Sequence, residues 1–451
     1  MRLLDSPNTR DALKVAIASH ARCDYVYMYP PRQAYRPFGA DADVPQLVRE
    51  SLARTEAINL YVHIPFCRQI CGFCNLYTVT MSRHDVHQRY IEALGAEVRT
   101  MAEALAAMKV NTVYFGGGTP SMLQPELLEQ AISTLTGVLG FSLADVPEVA
   151  IEVAPDNASS EGLAALRSVG FNRINLGVQT TSDEELRTIG RRYVPGTIDE
   201  GIANALRAGF HNVCVDLIYG LPGQSLSTWQ RSVDHVIDHR PQTVCAYALT
   251  LRSGTRFGDK ESPPATSNLQ QYEKYDYADC RLRAAGYEQQ THVRWALPGR
   301  GGYLQKQLHW AGESVLDFGA GARSYLWDID TRNGYSLHPR RSALDEYFTR
   351  IDGGADPRTD GFLMDNEERQ RKAIILGLNH LDRRIYSARF GIDPLEAFPH
   401  QFASLSDLGL IADTDDSVEL TPLGVRHRDI AVQPFISPRV RRLVDDFTYV
   451  E

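Results

Sequence analysis

The chain has 451 residues, 43% hydrophobic and 23% charged, a balance that fits a globular protein of two or three domains with a large core. Its formal net charge of −9, from 47 Lys and Arg against 56 Asp and Glu, argues against nonspecific attachment to nucleic acid, because phosphate rewards clustered cations. The start, Met1-Arg-Leu-Leu-Asp-Ser-Pro, lacks a continuous apolar stretch, no run approaches the roughly 18 apolar residues of a membrane span, and the seven cysteines are an odd number, so a reduced, cytoplasmic protein with neither disulfide framework nor membrane anchor is expected.

Residues 1–56 read as an N-terminal extension. Its segment Tyr25-Val-Tyr-Met-Tyr-Pro-Pro-Arg-Gln-Ala-Tyr35 sets four tyrosines beside two prolines, which suits an aromatic strap packed over a barrel. Over 57–255, short β-branched runs alternate with amphipathic stretches, the mark of repeated βα units. The expected strands are 58–66, 112–115, 148–153, 173–178, 212–219 and 243–249. Between them, Tyr90, Ala93, Leu94, Val98, Met101 and Leu105 recur at helical spacing over 86–108, and Leu127, Leu128, Ile132 and Leu135 do so over 124–139. Six strands with intervening helices predict an α/β fold containing a partial (β/α)6 barrel of TIM type, with functional groups at the carboxyl ends of its strands.

Residues 256–360 read as a barrel extension and connecting segment. The stretch 253–268 is rich in Gly, Pro, Ser and Thr and predicts a loop, 269–285 predicts a helix, and the Gly-rich run 299–325 is expected near the active face. Residues 361–436 predict a winged-helix-like domain: a helix over 367–385, a second over 394–408 with Leu395, Phe398, Phe402, Leu405 and Leu408 on one stripe, then a strand and turn in Val418-Glu-Leu-Thr-Pro-Leu-Gly424. Asp413, Asp415 and Asp416 would repel phosphate, so a lid or scaffold role is expected of it. In the tail, 437–451, Asp445 and Asp446 offset Arg439, Arg441 and Arg442, which reads as a solvated helix face.

The strongest chemical signal is the C-x3-C-x2-C spacing of Cys67, Cys71 and Cys74 in Tyr61-Val-His-Ile-Pro-Phe-Cys-Arg-Gln-Ile-Cys-Gly-Phe-Cys74. Three such thiolates suit three irons of a 4Fe-4S cluster and leave the fourth iron open. A structural zinc site wants four ligands; no second cysteine pair is present, and His63 lies on an alternating apolar run that reads as a strand. The segment resembles the cluster loop of radical S-adenosylmethionine enzymes. One βα unit later, Gly116-Gly-Gly-Thr-Pro120 lets backbone approach a ligand closely. Glu152, Gln179 and Asp216 lie in successive later strands, and Arg191 on the helix after Gln179.

Together with Leu-Gly-Val-Gln179, Asp216-Leu-Ile-Tyr-Gly-Leu-Pro and the Leu420-Thr-Pro-Leu-Gly tail, these motifs resemble the oxygen-independent coproporphyrinogen III oxidase superfamily over roughly residues 57–436. The resemblance implies a radical S-adenosylmethionine barrel with a C-terminal lid, a 4Fe-4S cluster on Cys67, Cys71 and Cys74, and two bound S-adenosylmethionine molecules. Gly117, Gly118, Thr119, Gln179, Arg191, Asp216 and Ala248 would contact the first; Tyr61, Glu152 and Gln305 would help place the second, with Arg323 at a position of that site where the oxidase contributes an aliphatic residue. Two departures choose a branch. Leu76 stands where the oxidase has a further cysteine, and Gln305-Lys-Gln-Leu-His-Trp310 replaces the haem chaperones' His-Asn-x-x-Tyr-Trp motif. The Asn75-Leu-Tyr-Thr segment and the tyrosine-rich extension resemble the class C radical methyltransferases, above all the thiazole C-methyltransferases of thiopeptide biosynthesis.

That branch implies methylation of an unactivated sp2 carbon on an azole-containing peptide, fed by an external one-electron reductant such as flavodoxin or ferredoxin, in a monomer bound to neither nucleic acid nor membrane. The alternatives are a haem chaperone, a radical enzyme acting on a porphyrin or haem, and a cyclopropanase. The catalytic base or electron acceptor is not identified by the sequence; Tyr247, His309 and Tyr325 are its weak candidates.

Overall fold

The computed structural model describes residues 9–21, 25–39, 41–106, 108–259, 267–334 and 340–447. Cys23 and residues 260–266 of the expected loop lie outside them, as do 448–451 of the tail. The chain divides into two compact units, a larger one of Pro37–Lys306 with Glu313–Gly361 and a smaller one of Met1–Arg36, Gln307–Gly312 and Phe362–Thr448.

In the larger unit six strands lie side by side and parallel: β1 (Ala57–Ile64), β2 (Lys109–Gly117), β3 (Glu148–Val153), β4 (Arg173–Gln179), β5 (Asn212–Tyr219) and β6 (Thr243–Ala248). These are the six strands and the α/β class expected. The connections carry α1 (His84–Thr100), α2 (Pro125–Leu139), α3 (Ser160–Val169), α4 (Asp183–Ile189), α5 (Thr197–Arg207) and α6 (Leu226–His239). Serine caps begin two of them: Ser159 accepts from the Gly162 amide and Ser225 from the Thr228 amide. The expected helix over 86–108 ends earlier, at Thr100, with a separate turn at Ala102–Leu105.

Residues 256–360 widen the sheet at both edges, which the sequence did not foretell. Beyond β6 lie β7 (Glu288–Thr291) and β8 (Arg294–Ala296), with β8 antiparallel to β6. Beside β1 lies β9 (Val315–Phe318), parallel to it, followed by β10 (Arg323–Tyr325) and β11 (Ile329–Asn333) in antiparallel order.

Alternation along the strands sorts the side chains. Leu60, Val62, Val113, Phe115, Ile151, Ile174, Leu176, Val215 and Leu217 join the hydrophobic core. The intervening positions carry Tyr61, His63, Tyr114, Glu152, Asn175, Cys214, Asp216 and Cys245, so the other face of these parallel strands is polar. At its amino end the strands are closed by residues 302–305. Asn212 Nδ2 and Arg173 Nε donate to the Gly302 carbonyl at 2.6 and 3.3 Å, and Glu148 accepts from the Leu304 and Gln305 amides at 2.9 and 3.0 Å. This corrects the expectation that all of 299–325 runs near the active face: buried Glu148 and Arg173 at the strand starts need partners, and this segment supplies them.

In the smaller unit the expected helix over 367–385 is interrupted. Asn366–Gly377 is helical, β12 (His380–Asp382) is a strand, and Arg383–Phe390 is the next helix. The helix expected over 394–408 breaks at Phe398, because a residue preceding a proline, here Pro399, is disfavoured in helical geometry; its φ is −134°. β13 (Ile411–Asp413) and β14 (Ser417–Leu420) form a hairpin, and β12 pairs with β14, giving helices with a three-stranded wing. The tyrosine-rich segment finds its partners in this unit: the buried Tyr29 hydroxyl donates to Glu368 Oε2 at 2.5 Å and accepts from the Ser437 amide at 3.1 Å. The tail arginines are not simply a solvated face, since Arg439 lies over the Phe362 ring at 4.4 Å. No helix among the described residues is long and apolar enough to cross a membrane.

Phe115 of β2 is fully buried and meets Phe171 edge to face at 5.3 Å, between the sheet and its helices. Phe115→Ala is expected to lower unfolding free energy by about 3–5 kcal/mol, read as a fall in the urea midpoint at unchanged m value.

Candidate functional site

Cys67 follows β1 directly, in a two-residue strand Phe66–Cys67 that pairs with Val79–Thr80, so the cysteine loop is pinned at both ends to the carboxyl rim of the sheet. Within it the Cys74 amide donates to the Cys71 carbonyl at 3.0 Å, and the Gly72 amide to Ile189 O at the end of α4 at 2.9 Å. One cavity is lined by Cys67, Cys71 and Cys74 together with Gly117, Gly118, Thr119, Glu152, Gln179, Arg191 and Asp216. Ten of the residues singled out by sequence thus meet there.

The donor set suits a multi-iron cluster better than a single ion. Zinc–sulfur bonds of about 2.3 Å would draw thiolates to within about 4 Å of each other. The three sulfurs are not among the sets of ligand atoms that converge within 4.8 Å in the described residues. His63 is no fourth ligand: its Nε2 donates to the Tyr77 carbonyl at 2.8 Å, and burial lowers its pKa to about 4, leaving the ring neutral. Burial pushes the Cys67 thiol up to about 12, with Thr119 opposing and the other two thiols adding to the rise, so ionising it calls for positive charge. Part of it is Arg191, whose Nε donates to Cys71 Sγ at 3.4 Å and whose Nη1 bonds the Gly177 carbonyl.

The glycines make a cradle. A Cβ on Gly118 would stand 2.5 Å from the Phe66 carbonyl oxygen, and Gly117 has φ +109° with the His63 ring in the space a side chain would need. Both flank the backbone of the cysteine loop: the Gly118 amide donates to Ile64 O at 2.7 Å and the Thr119 amide to Phe66 O at 2.8 Å. Gln179 sits at a bulge ending β4 with φ +72°, a left-handed conformation unusual for a side chain of its kind and of the sort found at ligand sites.

Two half-buried carboxyls face the cavity. Glu152 accepts from the Tyr114 hydroxyl at 2.9 Å and the Gly117 amide at 3.1 Å; burial raises its pKa against those donors. Asp216 accepts from Asn175 Nδ2 at 3.5 Å, and burial, with Cys245 and Glu152 adding, holds it well above the carboxylate range while Arg173 opposes.

The remaining expected residues are not among those lining the cavity. Tyr61 stacks on Tyr114 at 5.7 Å, one ring removed from Glu152. Arg323 donates its amide to Asp317 Oδ2 at 3.0 Å and lies 5.9 Å from the Tyr325 ring, on β10, one strand removed from β1. Gln305 is buried at the amino end, its amide donating to Leu60 O at 2.9 Å, which engages the group expected to touch a cofactor. Tyr247 and Ala248 end β6. His309 belongs to the smaller unit. Sequence reading missed Asn175 and Tyr193, which also line the cavity; the period-2 run Arg173, Asn175, Gly177 was the available sign for the first, and Tyr193 carried none.

Comparison with known proteins agrees with this geometry. The sequence profile of the Radical SAM superfamily matches residues 61–236. Heme chaperone HemW of Bacillus subtilis is 29% identical over 373 residues, 81% of this chain and 95% of that protein. HemW of Mycobacterium tuberculosis is 34% identical over 295 residues, 62% of this chain and 74% of that protein. Among solved structures, coproporphyrinogen III oxidase HemN of Escherichia coli superposes with a TM-score of 0.78 at 24% identity, over 91% of this chain and 96% of that one.

These relatives overturn the expected thiazole methylation, and its azole-peptide substrate falls with it. Similarity to the haem chaperone spans nearly that protein's whole length, whereas the methyltransferase reading rested on a few local residues around Leu76 and Gln305. The second S-adenosylmethionine loses its support too: of Tyr61, Glu152, Gln305 and Arg323, only Glu152 lines the cavity.

Gly118→Val should force the Phe66 carbonyl and the cysteine loop apart. The variant is expected to retain much less iron and sulfide after anaerobic reconstitution than the wild type; equal iron content with unchanged cluster absorbance would sink the link between this glycine and the loop.

Proposed function

Given that this chain belongs to the radical S-adenosylmethionine superfamily, in its HemW- and HemN-like group, we propose that it is a haem-handling protein that cleaves S-adenosylmethionine at a 4Fe-4S cluster. The observation that carries the radical half is the shared cavity of Cys67, Cys71, Cys74, Gly117, Thr119, Glu152, Arg191 and Asp216. The haem half is supported by the likeness to heme chaperone HemW over most of its length.

When bound, the cluster and S-adenosylmethionine supply a carbon-centred radical by one-electron cleavage of the sulfonium. Cys67, Cys71 and Cys74 would hold three irons, and Arg191 would offset thiolate charge at Cys71. Gly117 to Thr119 offer close backbone to the methionyl end, and Glu152, already fixed by Tyr114 and Gly117, presents its free lone pairs to ribose hydroxyls. Asp216, which lines the same cavity, would take up positive charge of the ligand. The reductant is an external one-electron carrier of the flavodoxin or ferredoxin kind. Porphyrinogen decarboxylation is the weaker reading, because cavity-lining Leu76 has no thiol to offer where the oxidase resembled by this sequence has one.

The test is anaerobic titration of the reconstituted protein with haem, beside an assay for 5'-deoxyadenosine under reduction. Stoichiometric haem binding together with S-adenosylmethionine cleavage, the latter abolished by Cys71→Ala, is expected; absence of any haem absorbance change at excess haem would overturn the assignment.

A pH dependence follows from Asp216. Its carboxyl is held protonated above the ordinary range by burial, and a cationic ligand favours the ionised form, so binding releases a proton. S-adenosylmethionine affinity is therefore expected to rise with pH through that raised pKa, by at most about tenfold per pH unit, and to flatten in Asp216→Asn. Calorimetry in buffers of differing ionisation enthalpy reads the proton directly.

A further inference from the structure

We propose that Asp199, His235 and His239 form a second metal site, on the outer helices of the barrel, for a late first-row divalent cation of the zinc type. His235 and His239 lie four residues apart on α6 and so share one face, the spacing that lets two imidazoles converge on one ion. Asp199, in the first turn of α5, completes the set. Its Oδ1 lies 3.0 Å from His235 Nε2 and 3.1 Å from His239 Nε2, and the two rings stand 5.1 Å apart.

Tetrahedral zinc with ligand bonds of about 2.0–2.1 Å sets its ligand atoms about 3.3 Å apart; both imidazole nitrogens stand near that distance from the carboxylate oxygen, and all three donor atoms lie within 4.8 Å of one another. A plain hydrogen-bonded cluster explains the arrangement less well. His239 Nε2 hydrogen-bonds Asp199 Oδ1, but His235 Nε2, 3.0 Å from the same oxygen, is buried and makes no hydrogen bond among the described residues. A metal placed between the donors satisfies that nitrogen.

Two imidazoles and one carboxylate favour zinc, cobalt, nickel or copper over magnesium or calcium, which prefer oxygen cages. With Asp199 at the surface and only three protein ligands, the ion keeps at least one water and exchanges with solvent. It would clamp the start of α5 to the last turn of α6, on either side of β5, independently of the cysteine triad.

The test uses untagged, anaerobically reconstituted protein, so that the triad is filled with iron. Calorimetry with Zn2+, and metal analysis after desalting, should show one zinc per chain. A His235→Ala/His239→Ala double variant should lose it at unchanged iron content, and Asp199→Asn should weaken it about tenfold or more. Wild type that binds no zinc, a double variant with wild-type stoichiometry and affinity, or displacement of zinc by equimolar Mg2+ would each overturn the proposal.

Discussion

The structure depends on one costly arrangement: a parallel sheet whose inner face is polar. Parallel strands covered on both faces normally read as continuous apolar runs, because each face is buried. Here the helix-facing positions, such as Val113, Phe115, Ile174 and Leu176, obey that rule, while buried Tyr114 and Asn175 and half-buried Glu152 and Asp216 put hydroxyl, amide and carboxyl groups on the inner face. Burying such groups costs several kcal/mol each unless they find partners, so each must be paired by the protein or await a ligand.

The two ends of the interior solve this differently. At the amino end Glu148 accepts two backbone amides from the 302–305 segment, and Arg173 lies 4.0 Å from the Tyr303 ring with Glu148 at 3.6 Å. Burial works against the Arg173 charge, and Glu148 leads the groups that outweigh it. That end is closed by its own chain. At the carboxyl end the carboxyls of Glu152 and Asp216 are pushed toward protonation, three thiols share a rim, and Gln179 holds a left-handed backbone. An end left in that condition is one whose complement arrives from outside as cations, hydroxyls and irons.

This division explains what was legible in the sequence. Strand alternation with short β-branched runs marked all six parallel strands, because a strand's period is imposed by its two faces whatever the loops do. The cysteine spacing and the glycine run were legible for a different reason: Cys67, Cys71 and Cys74 answer to ligand chemistry, and Gly118 to a backbone 2.5 Å from where its Cβ would be. The edge strands over 288–333 were not legible, since segments of three to five residues carry too few positions for a period, and their place beside β1 and β6 is a tertiary fact. Gln305 shows the same limit. Its residue type fits a cofactor contact, but Leu60 O takes its amide. Nor did periodicity reveal the strand at His380–Asp382, where a helical stripe merely continued past Gly377.

The substrate is the hardest layer to read, and the failure of the methylation reading shows why. Generating a radical makes strict demands on a few side chains, so three cysteines and a glycine cradle announce it. A tetrapyrrole is a broad, mostly apolar plate, recognised by shape and by area spread over many residues, each individually replaceable. Leu76 and the Gln305–Trp310 stretch are local departures from two motifs, and their weight is small beside similarity distributed along 373 residues. Local departures from a motif therefore say which contact has changed, while the extent of likeness along the chain says which family the chain belongs to.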